Sequence, residues 1–128
     1  MTFDNLRQLK TLLIDDDEFV RDSLRVMFES KGCFLQAVET AEEAIHVLDI
    51  GRYDLVITDY KLPGMNGLDF CRRLQESHPN VVKILITAYG SQSVKDEAND
   101  VGVSEFIEKP ITPKSIEASL SRLFKGTT

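Results

Sequence analysis

The sequence predicts an α/β domain: a five-stranded parallel sheet, doubly wound, with helices on both faces. Three observations carry that prediction. Five short apolar runs alternate along the chain with five segments of helical hydrophobic period. The runs are continuously apolar, as in Leu55-Val56-Ile57, which marks strands buried on both faces. Glycine or proline follows most of the helical segments, so each run of one period ends before the next begins. At 128 residues the chain is read as a single domain, residues 1–128 with a core over about 10–125, large enough to bury a proper interior.

Lys10-Thr11-Leu12-Leu13-Ile14-Asp15 is the first strand, an apolar run ending in acid. Asp15, Asp16, Asp17 and Glu18 then open a helix, which Asp17 can cap by accepting from free backbone N–H groups. Val20, Leu24, Met27 and Phe28 are its inward stripe, and Gly32 stops it. Phe34 to Val38 is a short second strand. Thr40-Ala41-Glu42-Glu43 is a capping box for a helix with Ala41, Ala44, Ile45 and Leu48 inward, closed by Gly51.

The third strand, from Leu55, stops at Asp59, and the chain breaks into a loop punctuated by Pro63, Gly64 and Gly67. Gly67 to His78 is a helix burying Leu68, Cys71 and Leu74, with Pro79 beyond it. Val81 to Thr87 is the fourth strand. A weaker helix over about residues 91–101, with a thin stripe of Val94, Ala98 and Val101, ends at Gly102. Glu105 to Lys109 is the fifth strand and runs into Pro110. Thr112-Pro113 sets an N-cap with proline at the first helical position. The last helix turns Ile116, Leu120, Leu123 and Phe124 inward and frays at Gly126-Thr127-Thr128.

Composition excludes several classes of function. A formal charge of -6 opposes nonspecific binding to nucleic acid, so no direct nucleic-acid partner is expected. No basic run or apolar stretch suggests DNA wrapping, an anchor or a membrane span. Met1 to Lys10 is polar and lacks the apolar core of a signal peptide, which points to the cytoplasm. Cys33 and Cys71 lie far apart in apolar segments and read as reduced, structural thiols. His46 and His78 read as solvent-facing helix residues with no ligand set around them.

Right-handed crossovers bring the C-terminal ends of all the strands to one edge, where functional groups of open parallel sheets collect. The strand ends supply Asp15 and Asp16, Asp59, Thr87 and Lys109. Three carboxylates together repel, and their pKa values rise unless a cation joins them. An all-oxygen site with waters left over suits Mg²⁺ (or Mn²⁺). With the metal present Asp59 can attack a phosphoryl group, while Lys109 and the Thr87 hydroxyl help share its equatorial oxygens. No histidine or cysteine stands where it would act as a base, and a carboxylate nucleophile needs none at neutral pH.

These residues carry a resemblance over nearly the whole chain. Leu13-Ile14-Asp15-Asp16-Asp17, Asp59 with Pro63-Gly64-Met65-Asn66-Gly67, Thr87-Ala88 and Lys109-Pro110, in this order and spacing, resemble the receiver domain of the two-component response regulators. The resemblance implies a flavodoxin-like fold with strand order 2-1-3-4-5, which the chain's own pattern does not derive. It implies that Asp59 is the phosphoacceptor, taking its phosphoryl group from the phosphohistidine of a sensor histidine kinase or phosphotransfer protein. Asp15, Asp16, Asp59 and the backbone carbonyl of Lys61 would hold the metal, and Lys109 would pair with the phosphate. Thr87 would swing toward the phosphate and Phe106 follow inward, altering the face of the fourth helix, fifth strand and fifth helix for a downstream effector protein or domain. A phosphorylation-dependent homodimer stays open. The Lys109-Pro110 bond is expected cis.

Some residues carry two readings. Phe106 taken alone is ordinary half-buried core, and it lacks the hydroxyl of the tyrosine found in many relatives. Lys61 and Tyr89 stand at positions that vary in the family and influence phosphoryl lifetime, and a bulky pair there would hinder an attacking water. Arg21 matches an arginine common in the family or merely decorates the first helix. Phe19 falls off the inward stripe with Val26 two turns on, so the pair either offers an apolar docking patch for a kinase's histidine-bearing helix or leaves Phe19 under a neighbouring loop.

The expected function is that of a signalling module which catalyses only its own phosphorylation and dephosphorylation and is otherwise no enzyme. An aspartyl-phosphate phosphatase or phosphotransferase would want a second carboxylate shortly after Asp59, where Lys61 stands. A nucleotide or flavin carrier would want a glycine loop after the first strand, where Asp15 to Glu18 would repel phosphates. The chain is either a stand-alone regulator or the receiver part of a larger transcriptional regulator or hybrid kinase.

Overall fold

The structure, a computed structural model, describes residues 7–88 and 92–123. Strands β1 (Lys10–Ile14), β2 (Phe34–Val38), β3 (Leu55–Asp59), β4 (Val82–Thr87) and β5 (Glu105–Glu108) alternate with helices α1 (Glu18–Ser30), α2 (Ala41–Ile50), α3 (Gly67–Ser77), α4 (Gln92–Asp100) and α5 (Pro113–Leu123). The strands form one parallel sheet in the order β2-β1-β3-β4-β5. Expected element ends shift by a residue or two, as terminal hydrogen bonds are the weakest of an element. Tyr89 and Phe124 lie outside the described residues.

The caps form where the local chemistry puts them. Asp17 accepts from the Phe19 N–H at 2.9 Å and starts α1. Thr40 accepts from the Glu43 N–H at 3.1 Å, while the Glu43 carboxylate turns to the Thr40 hydroxyl at 3.4 Å. Thr112 and Ser115 cap reciprocally ahead of α5, at 2.9 and 3.0 Å. Gly32 and Gly102, at φ of 70° and 79°, supply the left-handed turns that end α1 and α4.

Alternate residues of the strands sort onto two faces. Leu13, Ile57, Ile84 and Ile107 meet Phe28 of α1 and Leu120 of α5 on one. On the other, Leu12, Ile14 and Val56 meet Ala44 and Leu48 of α2 and Leu74 of α3. Leu85 meets Leu68 and Cys71 of α3 and Ala98 of α4. Phe70 is a correction to the expected α3 stripe: it is fully buried. α3 is clasped from both sides, Phe70 packing with the α2 residues and Leu68 with those of α4, so its buried arc is wider than a single-sided helix requires. Ala98 is the one buried residue of α4, in keeping with its thin stripe.

Cys33 and Cys71 are buried thiols that form no disulfide among the described residues, and burial pushes the Cys71 thiol up to about 12. Lys83, inside β4 between Val82 and Ile84, is buried too, and burial pulls its pKa down. Among the described residues no helix is long and apolar enough to cross a membrane.

Candidate functional site

The C-terminal ends of β1 and β3 carry the acidic groups to one edge. One ligand oxygen from each of Asp15, Asp16 and Asp59 lies within 4.8 Å of the others. Asp15 and Asp59 are buried and Asp16 is exposed, so the cluster has a closed floor and an open side.

Asp15 is tied at nearly every polar atom. Its N–H donates to the Val38 carbonyl at 3.1 Å, and its Oδ1 accepts from the Asp17 N–H at 2.9 Å. Its main-chain carbonyl accepts from Arg21 Nη1 at 2.9 Å. Oδ2 is buried with no hydrogen-bond partner among the described residues. A buried, unpartnered acceptor is costly, and a cation shared with Asp16 and Asp59 would satisfy it. The residues therefore fit a hard, oxygen-loving metal ion. Burial first, then the charges of Asp59 and Asp16, raise the Asp15 pKa from 3.8 to about 6, against the opposing pull of the Asp17 N–H and Lys109. Repulsion among the carboxylates is the lesser cause here; desolvation is the larger.

A titration of the metal-free chain should expose this. Between 3.8 and about 6 the folded state binds a proton that the unfolded state has released. Stability then falls as pH rises through that window, by up to about 3 kcal/mol for the single group. Asp15→Asn, with chelator present, should be more stable than the native chain at pH about 7 and lose that advantage near pH about 4. Urea unfolding at the two pH values measures it, and a gain that does not change with pH would sink the assignment.

Asp59 ends β3 with its carboxylate Oδ2 at 3.0 Å from Lys109 Nζ. Burial lowers the Lys109 pKa, but the Asp59 hydrogen bond and charge, followed by Asp15 and Asp16, outweigh it and leave the ammonium raised. The Lys109 N–H donates to the Thr87 carbonyl at 2.9 Å, which ties the ends of β4 and β5, and the Lys109-Pro110 bond is cis as expected. Thr87 is buried at the end of β4. Lys61 is exposed in the loop after β3. That loop is closed at its base by the Gly67 N–H donating to the Tyr60 carbonyl at 2.8 Å, and Gly64 turns within it at φ 75°.

Two further residues touch these loops. Arg21, whose side chain is only 11% exposed, holds the Asp15 carbonyl and lies 3.6 Å from Glu39, so it does more than decorate α1. Glu42 reaches the loop after β3 and accepts from the Met65 N–H at 3.4 Å. For Arg21 the signal in the sequence was its match to an arginine common in the family, which did not say what the side chain touches. Glu42 read only as part of a capping box.

Phe19 and Val26 are 78% and 67% exposed, which removes the reading of Phe19 under a loop. They line a largely apolar groove of about 980 Å³ together with Val20, Met27, Pro110 and Ile111. The groove runs from α1 to the loop before α5 and includes Lys109, so it adjoins the acidic pocket. Phe106 is half-buried against the α3–α4 cluster, with Lys95 Nζ 5.9 Å from its ring centre. That is its core reading, at the rim of a small cleft beside α4.

A family model described as response regulator receiver domain matches residues 11–121. The chain is 35% identical over 121 residues to the cyclic di-GMP phosphodiesterase response regulator RpfG of Xanthomonas campestris, covering 91% of this chain and 32% of that protein. It is 31% identical to the two-component response regulator PhoP of Pseudomonas aeruginosa, covering 94% of this chain and 53% of that one. The chain thus spans about a third to a half of these relatives' length. Among solved structures, a CheY-like receiver domain protein from Methanospirillum hungatei superposes with a TM-score of 0.82 at 28% identity, over 90% of this chain and 93% of that one. The receiver domain of a signal transduction histidine kinase from Syntrophus aciditrophicus gives 0.81 at 25% identity, over 94% and 92%.

Proposed function

The chain belongs to the response regulator receiver family, a phosphoacceptor module of two-component signalling, and we propose that Asp59 is the residue in it that carries the phosphoryl group. The observation that carries this reading is the buried Asp59 carboxylate held between Lys109, at 3.0 Å, and the two other carboxylates. Asp15, Asp16, Asp59 and the Lys61 main-chain carbonyl would hold Mg²⁺ or Mn²⁺, which supplies charge neutralisation between the carboxylate and the incoming phosphoryl oxygens.

An Asp59 oxygen attacks the phosphorus of a phosphohistidine, the P–O bond forms as the P–N bond breaks, and imidazole leaves. A carboxylate nucleophile needs no base for this, and Lys109 Nζ, at 3.0 Å from Asp59 Oδ2, holds the side chain in place. As the acyl phosphate forms, Lys109 is released from carboxylate to phosphate, and the Thr87 hydroxyl takes a second oxygen. Phe106 then follows Thr87 inward and reshapes the face of α4, β5 and α5. The chain catalyses this transfer and its hydrolytic reversal on itself alone. Residues 1–128 act as one receiver unit, free-standing or within a longer regulator, and the downstream partner is an effector protein or domain. We place the exchange in the cytoplasm, where the donor is a sensor histidine kinase or phosphotransfer protein.

Incubation with acetyl phosphate tests the chemistry without the partner. Intact mass should show one phosphoryl adduct that requires Mg²⁺ and is discharged by hydroxylamine, as acyl phosphates are. No adduct, or one that forms equally in chelator, would overturn the reading.

The donor's docking site is the groove beside the pocket. Phe19 and Val26 are exposed apolar side chains on it, suited to an apolar helix carrying the phosphohistidine. Phe19→Asp should slow transfer from the cognate kinase about tenfold or more, the scale of a lost interface anchor. Its rate with acetyl phosphate should stay at the native value. Equal slowing with both donors would place the effect in the pocket and remove the groove from recognition.

A further inference from the structure

We propose that Arg21 is a positioning residue for the metal site, acting through the Asp15–Asp16 peptide; this rests on the receiver reading of the carboxylate cluster. Arg21 lies near the N-terminal end of α1, the positive end of the helix dipole, which disfavours a cation. Its side chain is nevertheless 89% removed from solvent, being only 11% exposed. What it gains is a hydrogen bond from Nη1 to the Asp15 carbonyl at 2.9 Å, with Nη2 3.6 Å from Glu39 Oε1.

The Asp15 carbonyl belongs to the rigid plane that joins Asp15 to Asp16. Clamping that oxygen fixes the rotation of the plane, and so the directions from which both side chains leave the backbone. Asp15 is held from its other side by the Val38 carbonyl and at Oδ1 by the Asp17 N–H. With Arg21 in place, Oδ2 is the Asp15 acceptor left for a cation. Glu39 engages the second arm of the guanidinium, so β2's exit steadies a residue of α1 that steadies the exit of β1.

Charge alone predicts the opposite sign. A guanidinium near a cation site repels the cation, so its removal should tighten metal binding unless it holds the ligands in place. The measurement is the direct affinity of the unphosphorylated full chain for Mg²⁺ by calorimetry, beside the acetyl phosphate rate at saturating Mg²⁺. Arg21→Ala should weaken Mg²⁺ binding about tenfold, the usual scale for a lost outer partner of a ligand. Arg21→Lys, which can still donate to the carbonyl, should recover most of that loss, and the rate at saturating metal should stay within about twofold of native. Unchanged or tighter binding in Arg21→Ala would overturn the proposal.

If Arg21→Ala does not fold, Arg21→Lys and Glu39→Gln decide it. Glu39→Gln should weaken Mg²⁺ binding about two- to threefold, and native affinity in both variants would overturn the positioning role. A native chain that binds no Mg²⁺ is a different result: it overturns the metal site itself.

Discussion

Asp59→Asn should abolish the phosphoryl adduct while leaving the chain folded. Asparagine keeps the shape of the side chain at the end of β3, so the packing around the buried position is retained. Its amide has no charged oxygen to attack phosphorus, and the metal cluster loses one of its three carboxylates. The expected fall in rate with acetyl phosphate is at least about a thousandfold, or roughly 4 kcal/mol of barrier. Lys109 loses its charged partner, and its pKa should drop, since the Asp59 hydrogen bond and charge lead Asp15 and Asp16 among the causes that raise it. Intact mass reads the first effect and NMR titration of the Lys109 ammonium the second. An adduct forming at the native rate in this variant would move the phosphoacceptor elsewhere.

Gly67→Ala is the second large effect, and its cause is space. A methyl group at Gly67 would drive into the main-chain carbonyl oxygen of Asp59 and come within 3.1 Å of Tyr60 Cα. Both obstacles are backbone, so nothing nearby can swing aside. The chain must move the base of the loop after β3, which the Gly67 N–H and Tyr60 carbonyl close at 2.8 Å. The expected loss is about 3 kcal/mol in urea unfolding, the upper range for overpacking. The phosphorylation rate should fall about tenfold to a hundredfold, as displacement of the Asp59 backbone spoils the alignment.

Gly64→Ala is the control. Gly64 needs its positive φ of 75°, but the nearest atoms to an added methyl, at 3.1 Å, belong to the movable carboxylate of Glu42. That variant should lose only about 1 kcal/mol, the cost of one left-handed alanine. If Gly67→Ala proves no worse than Gly64→Ala, the loop is not braced against β3 as the structure has it.

Much of this was legible in the chain itself, because the information is local. A continuously apolar run such as Leu55-Val56-Ile57 declares a strand covered twice, and Asp17, Thr40 and Thr112 declare helix starts through hydrogen bonds to their own neighbours. Parallel crossovers then send the strand ends to one edge without further instruction, which is why Asp15, Asp59, Thr87 and Lys109 could be named together. The order of the strands was not legible in that way; it came with the family resemblance. Tyr89, Phe124 and the chain ends lie outside the described residues.

The rest depends on which surfaces the crossovers press together. Phe70 is buried because α3 is clasped by α2 and α4 at once, and no periodicity along α3 encodes two neighbours. The exposure of Phe19 and Val26 follows from α1 and the loop before α5 leaving a groove between them. The raised pKa of Asp15 needs burial from several segments, and so does the enclosure that leaves its Oδ2 without a partner among the described residues. Arg21 reaches the Asp15 carbonyl only once α1 has folded back over the end of β1. The strands, the caps and the chemistry of the edge are written in the chain, since they arise between residues a few positions apart. The tertiary structure decided how that chemistry is braced and approached, since desolvation and long-range hydrogen bonds exist only after distant segments have excluded water together.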